Sequence, residues 1–215
     1  MEQQLAYPVT SINTSYFNTD LLQNIDVLIV PSGWYGGSLE RNFDDIKSWI
    51  RKGGKIVVFG NAMSLFADKD GFDLKRKEGD TATEDEKTNL TPYGERDRAS
   101  VPNLNFGSIY EITLDATHPL AFGYEDTYYS LKRGSSAYQF LENDFNVGYV
   151  KGAAKVVSGF SGDRAKDSQE NTLVFGEDKY GSGSVVYLVD DVLFRSFWEN
   201  GKLLFVNSLF FVDVN

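Results

Sequence analysis

Two short apolar runs set the pattern of the chain. Residues 25–31, Ile-Asp-Val-Leu-Ile-Val-Pro, and residues 55–60, Lys-Ile-Val-Val-Phe-Gly, are nearly continuous and rich in β-branched side chains. Such runs suit strands buried on both faces, as in a parallel sheet. Between them, Leu39 to Lys52 places Phe43, Ile46, Trp49 and Ile50 at helical spacing, and Gly53-Gly54 supplies a helix stop. Strand, helix and strand in this order predict a crossover joining a parallel pair. Upstream, Pro8 to Ile12 reads as an earlier strand and Asp20-Leu21-Leu22 as a short helix or turn. Asn61 to Ala67 reads as the start of another helix.

The pattern then breaks. Residues 68–98 are roughly half charged, with both signs and with Gly71, Gly79 and Pro92 interspersed. A stretch of this composition buries little surface, so it reads as a charged, partly mobile insert. From Phe106 onward, period-two patterning predicts strands over 108–114, 137–141, 146–150, 155–159, 172–176 and 184–189. Tyr180-Gly-Ser-Gly183 is a turn signal, which makes the last two strands a hairpin. Asn200 to Phe211 reads as a helix with a broad apolar face docked on the sheet. The fold class expected is α/β: a three-layer, mostly parallel sheet with flanking helices and an antiparallel C-terminal β extension. Residues 1–215 form one domain, with the insert at about 68–98.

Composition removes several classes of function. The chain has 215 residues, no cysteine, one histidine and a net charge of −10. That balance disfavours nucleic acid, whose phosphates are met by clustered Lys and Arg. It also disfavours an anionic membrane surface, and no apolar run approaches the roughly 20 residues that span a bilayer. Met1-Glu2-Gln3-Gln4 does not open a signal peptide. Export stays open, because the chain reads as a piece of a longer protein.

Candidate chemistry is sparse. Without cysteine there is no thiolate for a Cys–His–Glu triad. One histidine does not supply the ligands of a catalytic zinc. That histidine, His118, lies in Asp115-Ala-Thr-His-Pro-Leu-Ala-Phe-Gly123, where Pro119 forces an extended backbone. It reads as fixing this loop in preference to acting as base or ligand, since no Gly-x-Ser-x-Gly elbow accompanies it. Asn61 follows a buried strand at the rim where α/β sheets bind ligands. As an amide it is no nucleophile, and capping the helix is the favoured role over ligand binding. Pro31-Ser-Gly-Trp-Tyr-Gly-Gly37 follows the neighbouring strand. Its glycines permit φ > 0, and Trp34 and Tyr35 are either an aromatic platform for a sugar or peptide or a turn covering the core. Asp190-Asp191 reads as pairing with Arg195 or capping a helix, ahead of calcium binding or acid/base work. The ligand-binding candidates are therefore Gly33, Trp34, Tyr35, Gly36, Asn61, Ala62, Met63 and His118. No catalytic residue, metal or cofactor is assigned.

These residues together resemble the class I glutamine amidotransferase-like (flavodoxin-like) fold. They look most like the domain of that fold at the C-terminal end of certain exported bacterial zinc carboxypeptidases. The stretches that carry the resemblance are Asp26-Val-Leu-Ile-Val-Pro-Ser-Gly33, Ile50 through Gly60, Asp115 through Tyr124, Gly183 through Asp190 and Phe194-Arg195 through Leu209. The resemblance places the amidotransferase cysteine just after Lys55–Phe59, where this chain has Gly60-Asn61-Ala62-Met63, and no histidine follows His118. It therefore implies a non-catalytic accessory or interaction domain of a larger exported metallopeptidase. Its partners would be the catalytic domain of the parent chain and a peptide or glycan. The alternative is a stand-alone sugar- or metabolite-binding domain, or a hydrolase of the trehalose-utilisation type using carboxylates and His118.

Overall fold

A computed structural model describes residues 1–77 and 92–212. Among the described residues, eight strands form one sheet: β1 (Val27–Val30), β2 (Lys55–Phe59), β3 (Ser108–Leu114), β4 (Thr127–Lys132), β5 (Phe145–Val150), β6 (Lys155–Ser158), β7 (Thr172–Tyr180) and β8 (Gly183–Leu188). Their order is β1-β2-β8-β7-β5-β3-β4, with β6 pairing on β3. β1, β2 and β8 run parallel. The other ladders are antiparallel, including the β7–β8 hairpin. The fold is thus mixed α/β, and its antiparallel part is more than a C-terminal extension, because it also takes in β3 to β6.

Helices α1 (Glu2–Leu5), α2 (Phe43–Arg51), α3 (Arg96–Ser100), α4 (Asp163–Asp167) and α5 (Glu199–Phe210) accompany the sheet. α2 is the crossover between β1 and β2. It stops as read: Gly53, at φ 118°, donates to the Ile50 carbonyl and Gly54 to that of Trp49, which satisfies two orphan carbonyls of the last turn.

The alternation along β2 shows why its run is continuously apolar. Ile56 and Val58 face one core with Ile46, Ile50 and Tyr187. Val57 and Phe59 face a second with Leu188, Leu204 and Phe205. Both faces are buried, so neither position tolerates a polar side chain. α5 closes the second face and is pinned by side chains as well as by packing. Asn207 Nδ2 donates to the Leu120 and Phe122 carbonyls, and Lys55 Nζ donates to the Leu209 and Val212 carbonyls at its C-terminal end.

Several expectations change. Pro8–Ile12 pairs with no strand among the described residues and lies largely exposed. Residues 137–141 form single bridges through Tyr138, to Arg76 and Leu173, and no ladder. β4 was not expected at all. The charged insert is also narrower than 68–98. Residues 68–77 fold back onto the sheet, with Phe72 and Leu74 buried in the first core, and α3 lies exposed beyond it. Spacing explains this: the apolar Phe72 and Leu74 alternate with the charged Asp73 and Lys75. Residues 78–91 of the expected insert lie outside the described residues. Among the described residues, no helix is long and apolar enough to cross a membrane.

Candidate functional site

The carboxyl ends of β1, β2 and β8 open onto a cleft of about 290 Å³, the place where open α/β sheets take ligands. Ser32, Gly60 and Asn61 line one side, Arg133 and Ser136 the other, and Asp190 and Asp191 the end of β8.

Gly60 turns the chain sharply out of β2 at φ 58°, a left-handed conformation that costs a side-chain-bearing residue. A Cβ at this position would lie 2.4 Å from Ser32 Oγ and 2.7 Å from Ser32 Cβ. The two loops are tied together, because the Asn61 N–H donates to Ser32 Oγ at 3.1 Å. Geometrically this is an elbow whose apex has no room for a side chain.

Asn61 is exposed at the rim, with its carbonyl accepting from Ser64 Oγ at 2.8 Å. It does not cap the following helix. That element is a 3-10 turn, Gly60–Leu65, which already includes Asn61 and has no side-chain cap. The tight turn also removes Ala62 and Met63 from the rim: both are fully buried in the first core.

The Gly33–Gly37 loop divides in the same way. Trp34 is 84% exposed and free to meet a ligand. Tyr35 is committed, since its hydroxyl donates to the Pro31 carbonyl at 2.8 Å and its ring lies over Gly33. Burial raises its hydroxyl pKa above the ordinary tyrosine value. Neither Gly33 nor Gly36 has positive φ, and the left-handed glycine of this rim is Gly60.

Beneath the cleft lies a buried ion pair. Lys132 is 1% exposed, and its Nζ sits 3.3 Å from Asp190 Oδ1 and 3.2 Å from Oδ2. Ser130 Oγ donates to Asp190 Oδ2 at 2.5 Å. The expected Asp190–Arg195 pairing does not occur. A lysine this deep requires a counter-charge, and Asp190 is the one that the register of β4 brings to it. Arg195 instead takes φ 49° and sets its guanidinium 5.3 Å from the Phe194 ring centroid, which Arg133 also approaches, at 4.1 Å. Asp191 Oδ1 accepts the Leu193 N–H and closes a local turn. Among the described residues, no three His, Asp or Glu side chains group as metal ligands would.

His118 does not line this cleft. Its backbone is extended before Pro119, and its Nδ1 accepts the Leu120 N–H at 3.2 Å. The proton therefore sits on Nε2, which donates to Glu177 Oε2 at 3.2 Å. Burial pushes the Glu177 carboxyl up, but hydrogen bonds from His118 and Lys179 outweigh it and hold the group below the usual carboxylate range. The histidine ties the 115–123 loop to β7, as expected of a loop-fixing residue.

Ser32, Ser130, Lys132 and Arg133 escape a reading of apolar runs. For Ser130 and Lys132 the signal is the alternation of Thr127 to Lys132, whose inward face carries Tyr128, Ser130 and Lys132.

No family model matches this chain, and no curated protein matches its sequence. Solved structures do. The cytoplasmic protein STM3548 of Salmonella typhimurium superposes at a TM-score of 0.55, with 15% identity over 95% of this chain and 77% of that one. A protein described as ThuA-like from Bacteroides uniformis gives 0.49, with 13% identity over 93% and 74% of the two chains. A protein described as a GMP synthase component from Thermoplasma acidophilum gives 0.49, with 10% identity over 89% and 74%. At such identities the likeness to STM3548 is one of fold.

Proposed function

We propose that this chain is a non-catalytic accessory domain of the three-layer, class I glutamine amidotransferase-like type, carried by a larger exported hydrolase, a zinc carboxypeptidase. Its work is to hold a peptide or glycan, or the parent's catalytic domain, at the cleft beyond β1, β2 and β8. One observation carries the reading. The resemblance puts a nucleophile within Gly60–Met63; there Ser32 occupies the space that a Cβ on Gly60 would need, Asn61 is an amide, and Ala62 and Met63 are buried apolar side chains. An elbow packed in this way has given up a reacting side chain while the cleft around it stays open. The groups left at the rim, Asn61, Arg133, Asp191 and Trp34, can donate, accept and stack. Those are the needs of a binding site. Function does not follow from fold, so the support is this local packing.

The test is a chemical-shift titration of the labelled domain with short peptides and with oligosaccharides. The expected result is perturbation centred on Ser32, Asn61, Arg133 and Asp191, abolished by Arg133→Ala. Perturbation confined to α5 or to the β4 edge overturns the site. Release of ammonia from glutamine, surviving repurification, overturns the non-catalytic reading.

A further inference from the structure

α5 is apolar on two opposite sides. On one, Leu204 and Phe205 dock into the second core, and Gly201, Asn207 and Ser208 are buried with them. On the other, Leu203 and Phe210 are exposed, with the half-buried Val206 between them. The 115–123 loop and the N-terminal segment extend this outer face. Phe122 packs on Phe211 with ring centroids 5.0 Å apart, and Tyr7 meets Phe210 edge to face at 5.1 Å. The Leu203 side chain closes over Gly123, where a Cβ would lie 3.0 Å from Leu203 Cδ2. The five large side chains left open on this face, Leu203, Phe210, Phe211, Phe122 and Tyr7, are between 39% and 61% exposed. None of them lines the cleft.

A helix that is apolar all round belongs between two layers, and the described residues supply a layer on one side only. Spacing and charge indicate the second layer. Leu203, Val206 and Phe210 follow one another at intervals of three and four residues, the heptad stripe by which like helices pair. From Leu203 to Val212 the chain carries no charged residue. The two charges at the start of α5, Glu199 and Lys202, pair with each other at 2.5 Å. A chain of net charge −10 repels its own copy over most of its surface. An uncharged face is where two copies can meet without that repulsion.

We propose that this face is a dimer interface, in which α5 packs against α5 of a second copy across a two-fold axis, with Phe122, Phe211 and Tyr7 flanking the seam. A two-fold axis brings the same patch from both sides, and the area fits that arrangement. A large aromatic side chain carries about 150–250 Å², so these half-open residues offer about 400–500 Å² of apolar surface on one copy. Two copies bury about 900 Å² of it. Apolar atoms make up about 65% of a homodimer interface, which sets the whole at about 1,400 Å², within the standard size of a specific interface.

Sedimentation equilibrium of the full chain between about 1 and about 100 µM tests the proposal, with a reversible monomer–dimer equilibrium as the expected result. Leu203→Glu and Phe210→Glu each set a charge on the seam, twice per dimer because of the symmetry. Each is expected to raise the dissociation constant about tenfold or more. Both positions are exposed in the single chain, and circular dichroism checks that each variant is folded; either variant alone decides the matter if the other is not. Phe106→Glu, at the opposite end of β3 from the 115–123 loop and 78% exposed, is expected to leave the constant unchanged. A single species of monomer mass at about 100 µM overturns the proposal. So does a dimer that folded Leu203→Glu or Phe210→Glu leaves intact, or one that Phe106→Glu weakens as much.

Discussion

Ser32 Oγ stands 2.4 Å from the point where a Cβ on Gly60 would be. One serine thus fixes the identity of a residue 28 positions away and shapes the mouth of the cleft (60 − 32 = 28). Gly60→Ala is expected to cost about 1–3 kcal/mol, from the left-handed backbone and the collision together. Ser32→Gly in the same chain should return part of that loss, because it removes the collision and leaves only the backbone term. Thermal melts of the two single variants and the double variant check this. A Gly60→Ala protein as stable as the parent would show that the elbow is not packed shut.

The isolated chain is expected to release neither ammonia from glutamine nor a C-terminal residue from a peptide. The reason is chemical. There is no cysteine, and the one histidine is committed on both ring nitrogens, to Leu120 and Glu177. Turnover of either substrate that follows the protein through repurification would contradict this.

Val57→Asp is expected to unfold the domain. Val57 is fully buried, mid-strand, and pairs with Val186 of β8 and Ile29 of β1. An unpaired buried charge costs several kcal/mol, comparable to a whole domain stability of about 5–15 kcal/mol. An unchanged melting temperature would show that β2 is not central.

The same strand shows what could be read from sequence. β2, β3 and the β7–β8 hairpin were legible because burial on two faces, or strict alternation, leaves an apolar record. β4 was not, because Ser130 and Lys132 occupy two of its inward positions and answer Asp190 instead of a hydrophobic core. Pro8–Ile12 shows the converse: a short segment of strand-like composition pairs with no strand among the described residues. At the site, Asn61 was legible as a rim residue because it follows β2 after the single turn residue Gly60. The burial of Ala62 and Met63 was not, because a 3-10 turn advances side chains differently from an α-helix. Ser32 looked like an ordinary turn residue. Its importance depends on a contact between two loops, which no local pattern records.

His118→Ala is expected to weaken the acid side of the stability profile. Glu177 is held below the usual carboxylate range partly by His118. Its stabilisation is therefore present above the unfolded value, about 4.3, and is lost as pH falls through the lower folded value. Without the imidazole the folded value rises, and the loss begins at higher pH. Acid-unfolding curves should shift upward in pH, with a cost near neutrality of about 1–3 kcal/mol from the orphaned Leu120 N–H and Glu177 oxygen. Superimposable acid curves would mean that Lys179 alone holds the carboxylate.

The Lys132–Asp190 pair offers the sharpest energetic test, because its two halves are expected to be worth less than their separate removal implies. Lys132 is almost fully buried, and the Asp190 side chain is 12% exposed. Lys132→Met leaves Asp190 with only the Ser130 hydroxyl, and Asp190→Asn leaves an ammonium in the core without its counter-charge. Each is expected to cost about 3–5 kcal/mol. The double variant escapes the uncompensated charge, so it should be far more stable than the sum of the two losses, with a coupling of about 2 kcal/mol or more. The consequence for the cleft is separate. Asp190 and its neighbour Asp191 line it, and the lysine neutralises the first of them. With Lys132 and Arg133 then facing Asp191 alone, Asp190→Asn leaves the cleft with one net positive charge and should favour anionic ligands. Chemical denaturation gives the first quantity, and ligand titration at two salt concentrations gives the second. Additive single losses would show that Lys132 reaches solvent or another partner, and the buried pair would then not be what holds β4 to the end of β8.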